Sequence, residues 1–443
     1  SAKVDSSVKA AAIFFMFATV SNIIFLFCTR WAALVHATKG NADVIVLVHG
    51  FLGWGPKEMN GFNYWGGAND IAKQLQAVGH DVRTAVVGPV SSNWDRACEL
   101  YAYIRGGRVD YGARHSKKFN HSRYGPTFPG IHPEWGTLGA NGSMQRVHLV
   151  GHSMGGNTAR VLLRLLARGD ADEQKEPGAS PLFEGGRSAW IHSISTVNTP
   201  HDGTTIDGKA LGTTFLKGVA WPMFKGICAI EGLFSDSLPY DFKLGQFGLE
   251  RREGENFLAY VQRIRSSSIW KEGFPDFSAY DLSPAGSQEI NQITPAEKDV
   301  YYFSYASVDT HETRNPFAKH KHQVPNTLMW AFLWPLSYAL GSTGDESLWP
   351  NDGVVNTNSQ NGPKLASHDV IVPVQNHAQT FHPGVWNYMG VREGVDHIEN
   401  VGMGVQPVEA YYRDIVARLA SLPGQPSNTN YPGQLSNTDN IIV

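Results

Sequence analysis

The residues best suited to do chemistry lie in Gly151-His152-Ser153-Met154-Gly155. The pentapeptide fits Gly-x-Ser-x-Gly. It follows the apolar run Val147-His148-Leu149-Val150 and precedes a helix-like stretch from Asn157 to Leu166. A serine on a sharp strand-to-helix turn is a nucleophile elbow: glycines make room for the turn, and the strained serine presents its hydroxyl to a base. The same pattern also arises by chance in glycine-rich loops, and the strand before it and helix after it favour the nucleophile here.

A nucleophilic serine needs a base and a carboxylate to orient that base. With this elbow the chain order is serine, then acid, then histidine. Asp352, in Asn351-Asp352-Gly353-Val354-Val355, is the best acid, although Asp-Gly is also an ordinary turn. His397, in Val395-Asp396-His397-Ile398-Glu399, is the best base, with His377 and His382 as rivals in a looser loop. The oxyanion of the tetrahedral intermediate must meet backbone N–H groups. Met154, after the nucleophile, supplies one, and Phe51, in the loop His49-Gly50-Phe51, supplies the other.

These residues need a scaffold. Apolar runs over Asp43–Val48, Val82–Val87, Val147–Val150, Ile191–Val197 and Val300–Tyr305 read as strands, with helical patterns between them. This alternation predicts an α/β fold, a mostly parallel sheet flanked by helices. The 443 residues divide into an N-terminal targeting segment (1–37), a hydrolase domain (38–422) whose apolar segment around 205–240 reads as a buried helix pair or a mobile lid, and a Pro/Gly/Asn/Ser-rich tail (423–443) expected to be disordered. Residues 10–28 form an uncharged apolar run after Lys3 and Lys9. A signal peptide cleaved near Ala37 and an uncleaved membrane anchor both fit, and either places the enzyme outside the cytoplasm, secreted or endomembrane; a buried core helix is the remaining alternative. The sequon Asn141-Gly142-Ser143 fits that route. The net charge of −3, with no basic block, argues against a nucleic-acid partner. Cys28, Cys98 and Cys228 form no disulfide framework; free thiols are expected, with a Cys98–Cys228 bridge as the alternative.

His115 and His121 lie six residues apart, and Asp95 lies twenty residues before His115. With one more ligand they would make a tetrahedral zinc site, although surface histidines are the commoner explanation of such a spacing.

From about Val44 to Leu422 the chain resembles the large thermoalkalophilic bacterial lipases of the Geobacillus and Staphylococcus type. The resemblance rests on collinear blocks. Among them are Val48-His49-Gly50-Phe51, Gly61-Phe62-Asn63-Tyr64-Trp65-Gly66-Gly67 and Ser92-Asn93-Trp94-Asp95-Arg96-Ala97-Cys98-Glu99. Others are Thr199-Pro200-His201-Asp202-Gly203-Thr204, Tyr240-Asp241-Phe242-Lys243-Leu244, Asn351-Asp352-Gly353 and Val395-Asp396-His397. It implies an α/β-hydrolase fold, the triad Ser153, Asp352 and His397, the oxyanion donors Phe51 and Met154, and a helical lid over Leu211–Phe234. Met154 stands where the family has glutamine; a backbone donor is insensitive to that change. The resemblance also implies a structural zinc held by Asp95, His115, His121 and Asp276. Of the family's calcium site Glu399 survives, but the second carboxylate falls on Gly404, so that site is weakened or lost. The function implied is a triacylglycerol lipase acting on lipid esters at lipid–water interfaces. A carboxylesterase, or a phospholipase or acyltransferase using the same triad, is the alternative within this chemistry; an inactive binding protein of the same fold is the alternative outside it.

Overall fold

The computed structural model describes residues 41–140, 142–205, 240–270, 274–313, 322–374, 380–404 and 406–424. The targeting segment, the tail beyond residue 424, all but the ends of the lid-like insertion, Asn141, His377, Cys28 and Cys228 lie outside the described residues. Among the described residues no helix is long and apolar enough to cross a membrane.

The strands are β1 (Val44–Val48), β2 (Val82–Ala85), β3 (Gly107–Asp110), β4 (Tyr124–Phe128), β5 (Val147–His152) and β6 (Ile191–Val197), followed by β7 (Tyr301–Val308), β8 (Thr310–Glu312), β9 (Gln323–Pro325), β10 (Ile371–Pro373) and β11 (Trp386–Glu393). Among the described residues the α-helices are α1 (Ile71–Ala77), α2 (Asn93–Arg105), α3 (Ala113–Phe119), α4 (Met154–Arg168) and α5 (Phe257–Arg265), followed by α6 (Ser278–Asp281), α7 (Pro284–Ile293), α8 (Trp334–Leu340) and α9 (Glu409–Ser421). Seven strands form one sheet in the order β10-β11-β7-β6-β5-β1-β2. Every neighbouring pair in it is parallel.

The continuous apolar runs follow from burial on both faces. Val44, Val46 and Val48 pack with Leu149 and Ile194 on one face, while Ile45 and Leu47 pack with Val150 and Val197 on the other. Successive side chains of a strand point to opposite faces, so a strand covered twice needs apolar residues at every position. On the first face lie α2, through Ala97, Leu100 and Ile104, and α4, through Ala159, Leu162 and Leu166. On the second lie α1, through Ile71 and Leu75, and α9, through Tyr412, Ile415 and Leu419. Ser92 caps α2 by accepting the Asp95 N–H, and Asp70 caps α1 by accepting the Lys73 N–H.

Register aligns the strand ends that carry chemistry. Val48 lies opposite Gly151, His152 opposite Val197, and Val197 opposite Tyr305. In a parallel sheet the crevice beyond the carboxyl ends is the usual ligand site. The strands read at Ile191–Val197 and Asp43–Val48 are found as expected, the latter starting one residue later. The second ends at Ala85 rather than Val87, and the fifth continues to Val308. β10 and β11 were not legible: β10 has three residues, and β11 is half exposed, contains Gly390 and has a register shift between Tyr388 and Val391.

Leu162 is fully buried between α4 and the sheet. Leu162→Ala should therefore lower the unfolding free energy by about 2–5 kcal/mol in denaturant titration. A loss under about 1 kcal/mol would mean that this face of α4 is not core.

Candidate active site and metal centre

The elbow begins with steric exclusion. A Cβ on Gly155 would lie 2.2 Å from the Val48 carbonyl oxygen, and one on Gly151 would lie 2.4 Å from the Gly156 nitrogen. No side chain fits at either position, so β5 can turn into α4 directly beneath the end of β1. Ser153 takes φ 56° and ψ −132° at that turn. A non-glycine residue there costs about 1–3 kcal/mol and persists only where its surroundings hold it. Its N–H donates to Val197 O (2.8 Å), and its carbonyl accepts from Thr199 Oγ1 (2.8 Å) and the Gly156 N–H (3.1 Å). Met154 opens α4, where first-turn N–H groups have no intrahelical acceptor.

The loop after β1 closes on this turn. A Cβ on Gly50 would fall 2.6 Å from the Ser153 Cβ, so only a glycine lets this loop lie against the serine. Arg96, fully buried in α2, fixes the loop from below: its guanidinium donates to His49 O (2.6 Å), Gly88 O (2.7 Å) and Thr158 Oγ1 (2.8 Å). Burial and the nearby Arg96 charge lower the His49 pKa to about 3, so its imidazole is neutral. Its Nδ1–H donates to Gly50 O (2.9 Å), because a carbonyl can only accept.

His397 and Asp352 meet as the chain order suggested. His397 Nδ1 lies 2.8 Å from Asp352 Oδ2, and the His397 N–H donates to Asp352 O (2.9 Å). Asp352 is fully buried, and His397 and Ser153 are nearly so. The carboxylate is saturated. Oδ1 accepts the Val354 and Val355 N–H groups (3.0 and 2.8 Å), and Oδ2 accepts Asn198 Nδ2 (2.7 Å) and Gln360 Nε2 (3.0 Å) besides His397. The Asp-Gly turn reading also holds, since those two backbone donors close the turn and pin the acid. His382 is exposed, and its backbone carbonyl accepts from Asn387.

Asn198, Gln360, Tyr64 and Arg96 were not identified as parts of a site in the sequence. Asn198 directly follows β6, with φ 52°, which turns its amide under Asp352. A neutral amide with no motif around it gives no signal of such a role.

Asp95, His115, His121 and Asp276 converge, with one ligand atom from each within 4.8 Å of the others. His115 Nε2 lies 3.2 Å from Asp95 Oδ1 and from Asp276 Oδ1; His121 Nε2 lies 3.3 Å from Asp276 Oδ2 and 4.0 Å from Asp95 Oδ1. Asp95 Oδ1, His115 Nε2, His121 Nε2 and Asp276 Oδ2 are all buried without a hydrogen-bond partner. Four orphaned atoms of this kind aimed at one point fit a metal ion, since buried polar atoms are otherwise paired. Their outer atoms are held: Gln246 Nε2 donates to Asp95 Oδ2 (3.0 Å), Ser92 Oγ to Asp276 Oδ1 (2.5 Å) and His121 Nδ1 to Ser122 O (2.9 Å). Trp94 stacks on His115 at 5.0 Å. A second cluster, Asp43, His148 and His192, contrasts with this one. There His148 is bonded to Ser193 Oγ (2.7 Å) and Asn41 Oδ1 (3.0 Å), His192 to Asp43 Oδ2 (2.8 Å), and Arg146 occupies the same carboxylate (3.0 Å). This is a satisfied clamp at the opposite end of the sheet.

The remaining calcium position does not fit. A Cβ on Gly404 would lie 2.4 Å from Glu399 Cγ and 2.9 Å from its Oε1, so the buried Glu399 side chain lies where a side chain at 404 would start. Two carboxylates cannot be presented from these positions as they stand. Cys98 is a buried free thiol in α2.

Chelating a bound divalent ion should lower Tm by about 5–10 °C, and Asp276→Asn should abolish that response; an unaltered Tm in the parent would refute the metal centre. The pKa of His49 falls from 6.5 to about 3 on folding, so the unfolded chain binds its proton first. Its stabilising contribution is complete above pH 6.5 and is lost as pH falls toward 3. The stability deficit of His49→Asn should therefore shrink below pH 6.5, by up to about 1.4 kcal/mol per pH unit. A deficit independent of pH would contradict the neutral buried imidazole.

A family profile described as a lipase-like, C-terminal domain matches residues 41–417. The lipase of Staphylococcus hyicus is 35% identical over 370 residues, covering 82% of this chain and 54% of that protein. The chain thus spans about half the length of the curated relatives it matches. Among solved structures, EstA from Clostridium botulinum is 42% identical with a TM-score of 0.78, covering 88% of this chain and 89% of that one. Lipase 1 from Pelosinus fermentans is 43% identical with a TM-score of 0.76, covering 86% of this chain and 99% of that one. With the profile spanning the described domain and these identities behind it, the chain belongs to the Staphylococcus-type lipase family, on an α/β-hydrolase fold.

Proposed function

We propose that this chain is a serine ester hydrolase, a triacylglycerol lipase, with Ser153, His397 and Asp352 as its triad. The observation that carries the reading is the buried His397–Asp352 pair (2.8 Å) at the strand ends that also bear the strained Ser153. In this reading the Ser153 Oγ attacks the ester carbonyl carbon, and its proton passes to His397 Nε2. Asp352 holds Nδ1–H, which leaves Nε2 free to accept, and it stabilises the imidazolium that forms. The carbonyl oxygen becomes an oxyanion facing the N–H groups of Met154 and Phe51, with the α4 N-terminus adding its positive dipole end. His397 then gives its proton to the leaving alkoxide; water repeats the sequence on the acyl-enzyme.

The ion we assign to the second site is zinc. A tetrahedron with bonds of about 2.0–2.1 Å has edges of about 3.3–3.4 Å, and the separations of 3.2, 3.3 and 4.0 Å among the orphaned atoms bracket that value. Two histidines and two carboxylates complete the shell and leave no position for a reacting water, so the ion acts as a staple between α2, α3 and the segment before α6. The lid over 205–240 and opening at a lipid–water interface are part of the same reading, supported by the family and by the apolar composition of Leu211–Phe234. An extracytoplasmic location is supported by the apolar run 10–28.

Ser153→Ala should abolish ester hydrolysis, and Asp352→Asn should lower kcat by about 10⁴-fold with the protein folded. Emulsified long-chain triacylglycerol should be cleaved faster than a monomeric short-chain ester. Equal rates on both would leave an esterase, and product profiles from phospholipid would reveal a phospholipase. A Ser153→Ala protein as active as its parent would overturn the assignment.

A further inference from the structure

Three loops must keep register for the proposed chemistry: the one after β1, the elbow after β5 and the one after β11. One hydrogen-bonded chain crosses all three. Arg96 Nη2 donates to His49 O (2.6 Å), the carbonyl of the peptide whose N–H belongs to Gly50. The Gly50 N–H donates to Tyr64 Oη (3.0 Å), Tyr64 Oη lies 2.6 Å from His152 Nδ1, and His152 Nε2 lies 3.0 Å from His397 O. All these groups are buried.

Chemistry leaves one direction for the protons. The His397 carbonyl can only accept, so His152 Nε2 carries the hydrogen. Burial and the neighbouring His397 push the His152 pKa well down, so its imidazole is neutral and Nδ1 is an acceptor. Tyr64 therefore donates its hydroxyl hydrogen to Nδ1 and accepts from Gly50 on a lone pair. Every donor points the same way, from a buried cation toward the catalytic histidine's own carbonyl. Aligned bonds of this kind polarise one another in a low-dielectric interior.

The geometry points to Tyr64 and His152 as positioning residues that lock the oxyanion loop, the nucleophile elbow and the His397 loop into one register through this chain. The inference rests on the proposed hydrolase reading for its catalytic consequence, but the chain itself is a matter of tautomers. Ring packing supports the assignment. The His152 and His397 ring centroids are 4.6 Å apart, and Tyr64 meets Trp54 and Trp65 edge-on at 5.5 and 5.6 Å, so its hydroxyl has a fixed origin.

Two measurements on the full, metal-loaded chain decide it. In ¹⁵N-histidine NMR, with the signal assigned by its loss in His152→Gln, His152 should be the neutral Nε2–H tautomer throughout pH 5.5 to 8.5. Tyr64→Phe should shift its Nδ1 resonance. A Nδ1–H tautomer, or titration within that range, overturns the chain. With a soluble ester well below Tm, Tyr64→Phe keeps the ring and deletes two hydrogen bonds. It should lower kcat by about 10- to 100-fold with KM within about two-fold, because displaced loops penalise the transition state and not substrate binding. Unchanged kcat overturns the positioning role, even if Tm falls. If the parent hydrolyses no ester, the hydrolase reading fails and the positioning role fails with it, while the tautomer still decides whether the chain exists.

Discussion

The close approach of Gly155 to the Val48 carbonyl is the constraint on which the rest of the site depends. At 2.2 Å from a would-be Cβ, β1 and the start of α4 leave no volume for any side chain. That contact lets α4 begin immediately after β5, so the helix N-terminus lies under the serine rather than a turn away. It also forces Ser153 to positive φ, a strained state that the Val197, Thr199 and Gly156 hydrogen bonds hold in place. Gly50 repeats the logic from the other side, since only a glycine lets the neighbouring loop pass within contact of the serine Cβ. Reactive geometry here results from exclusion by backbone atoms, which do not yield.

Around that steric core lie buried polar groups whose partners fix their geometry. Asp352 has hydrogen bonds to both carboxylate oxygens, Arg96 uses its guanidinium on two carbonyls and a hydroxyl, and His49 is neutral. Buried polar groups cost free energy when orphaned and specify geometry when satisfied. One group of unpaired atoms is informative by its convergence. The unpaired atoms of Asp95, His115, His121 and Asp276 gather at one point, whereas the Asp43–His148–His192 cluster is satisfied and holds the far end of the sheet together. Asp95 and Arg96 are consecutive in α2, so the helix that contributes to the candidate metal centre also grips the loop after β1. A metal that fixed the start of α2 would therefore bear on the position of His49 O.

Much of this was legible in the sequence because it is local. Val44–Val48 and Ile191–Val197 announce doubly covered strands by unbroken apolar character, and Gly151–Gly155 announces the elbow because the turn excludes side chains at the positions next to it. Asp352 and His397 followed from the order that the elbow imposes. The candidate metal ligands are weaker signals: the His115–His121 spacing alone is commoner for surface histidines, and Asp276 enters only through the family resemblance. β10 and β11 left little trace, since a three-residue strand and a half-exposed, bulged one carry no clean periodicity.

What the sequence by itself determined is the set of groups that must be near one another: a strand–serine–helix elbow, an acid and a histidine downstream of it, and apolar strands to carry them. Only the tertiary structure decided which neutral groups complete the site. Asn198 and Gln360 lie 154 and 8 residues from Asp352, and Tyr64 lies 88 residues from His152, yet each meets its partner within hydrogen-bonding distance. An amide or a phenol becomes a positioning group through its direction and its partner, and both are set by how β1, β5, β6 and β11 align at one sheet edge. Residue type is written along the chain, but hydrogen-bond direction arises only where distant segments pack together and exclude water.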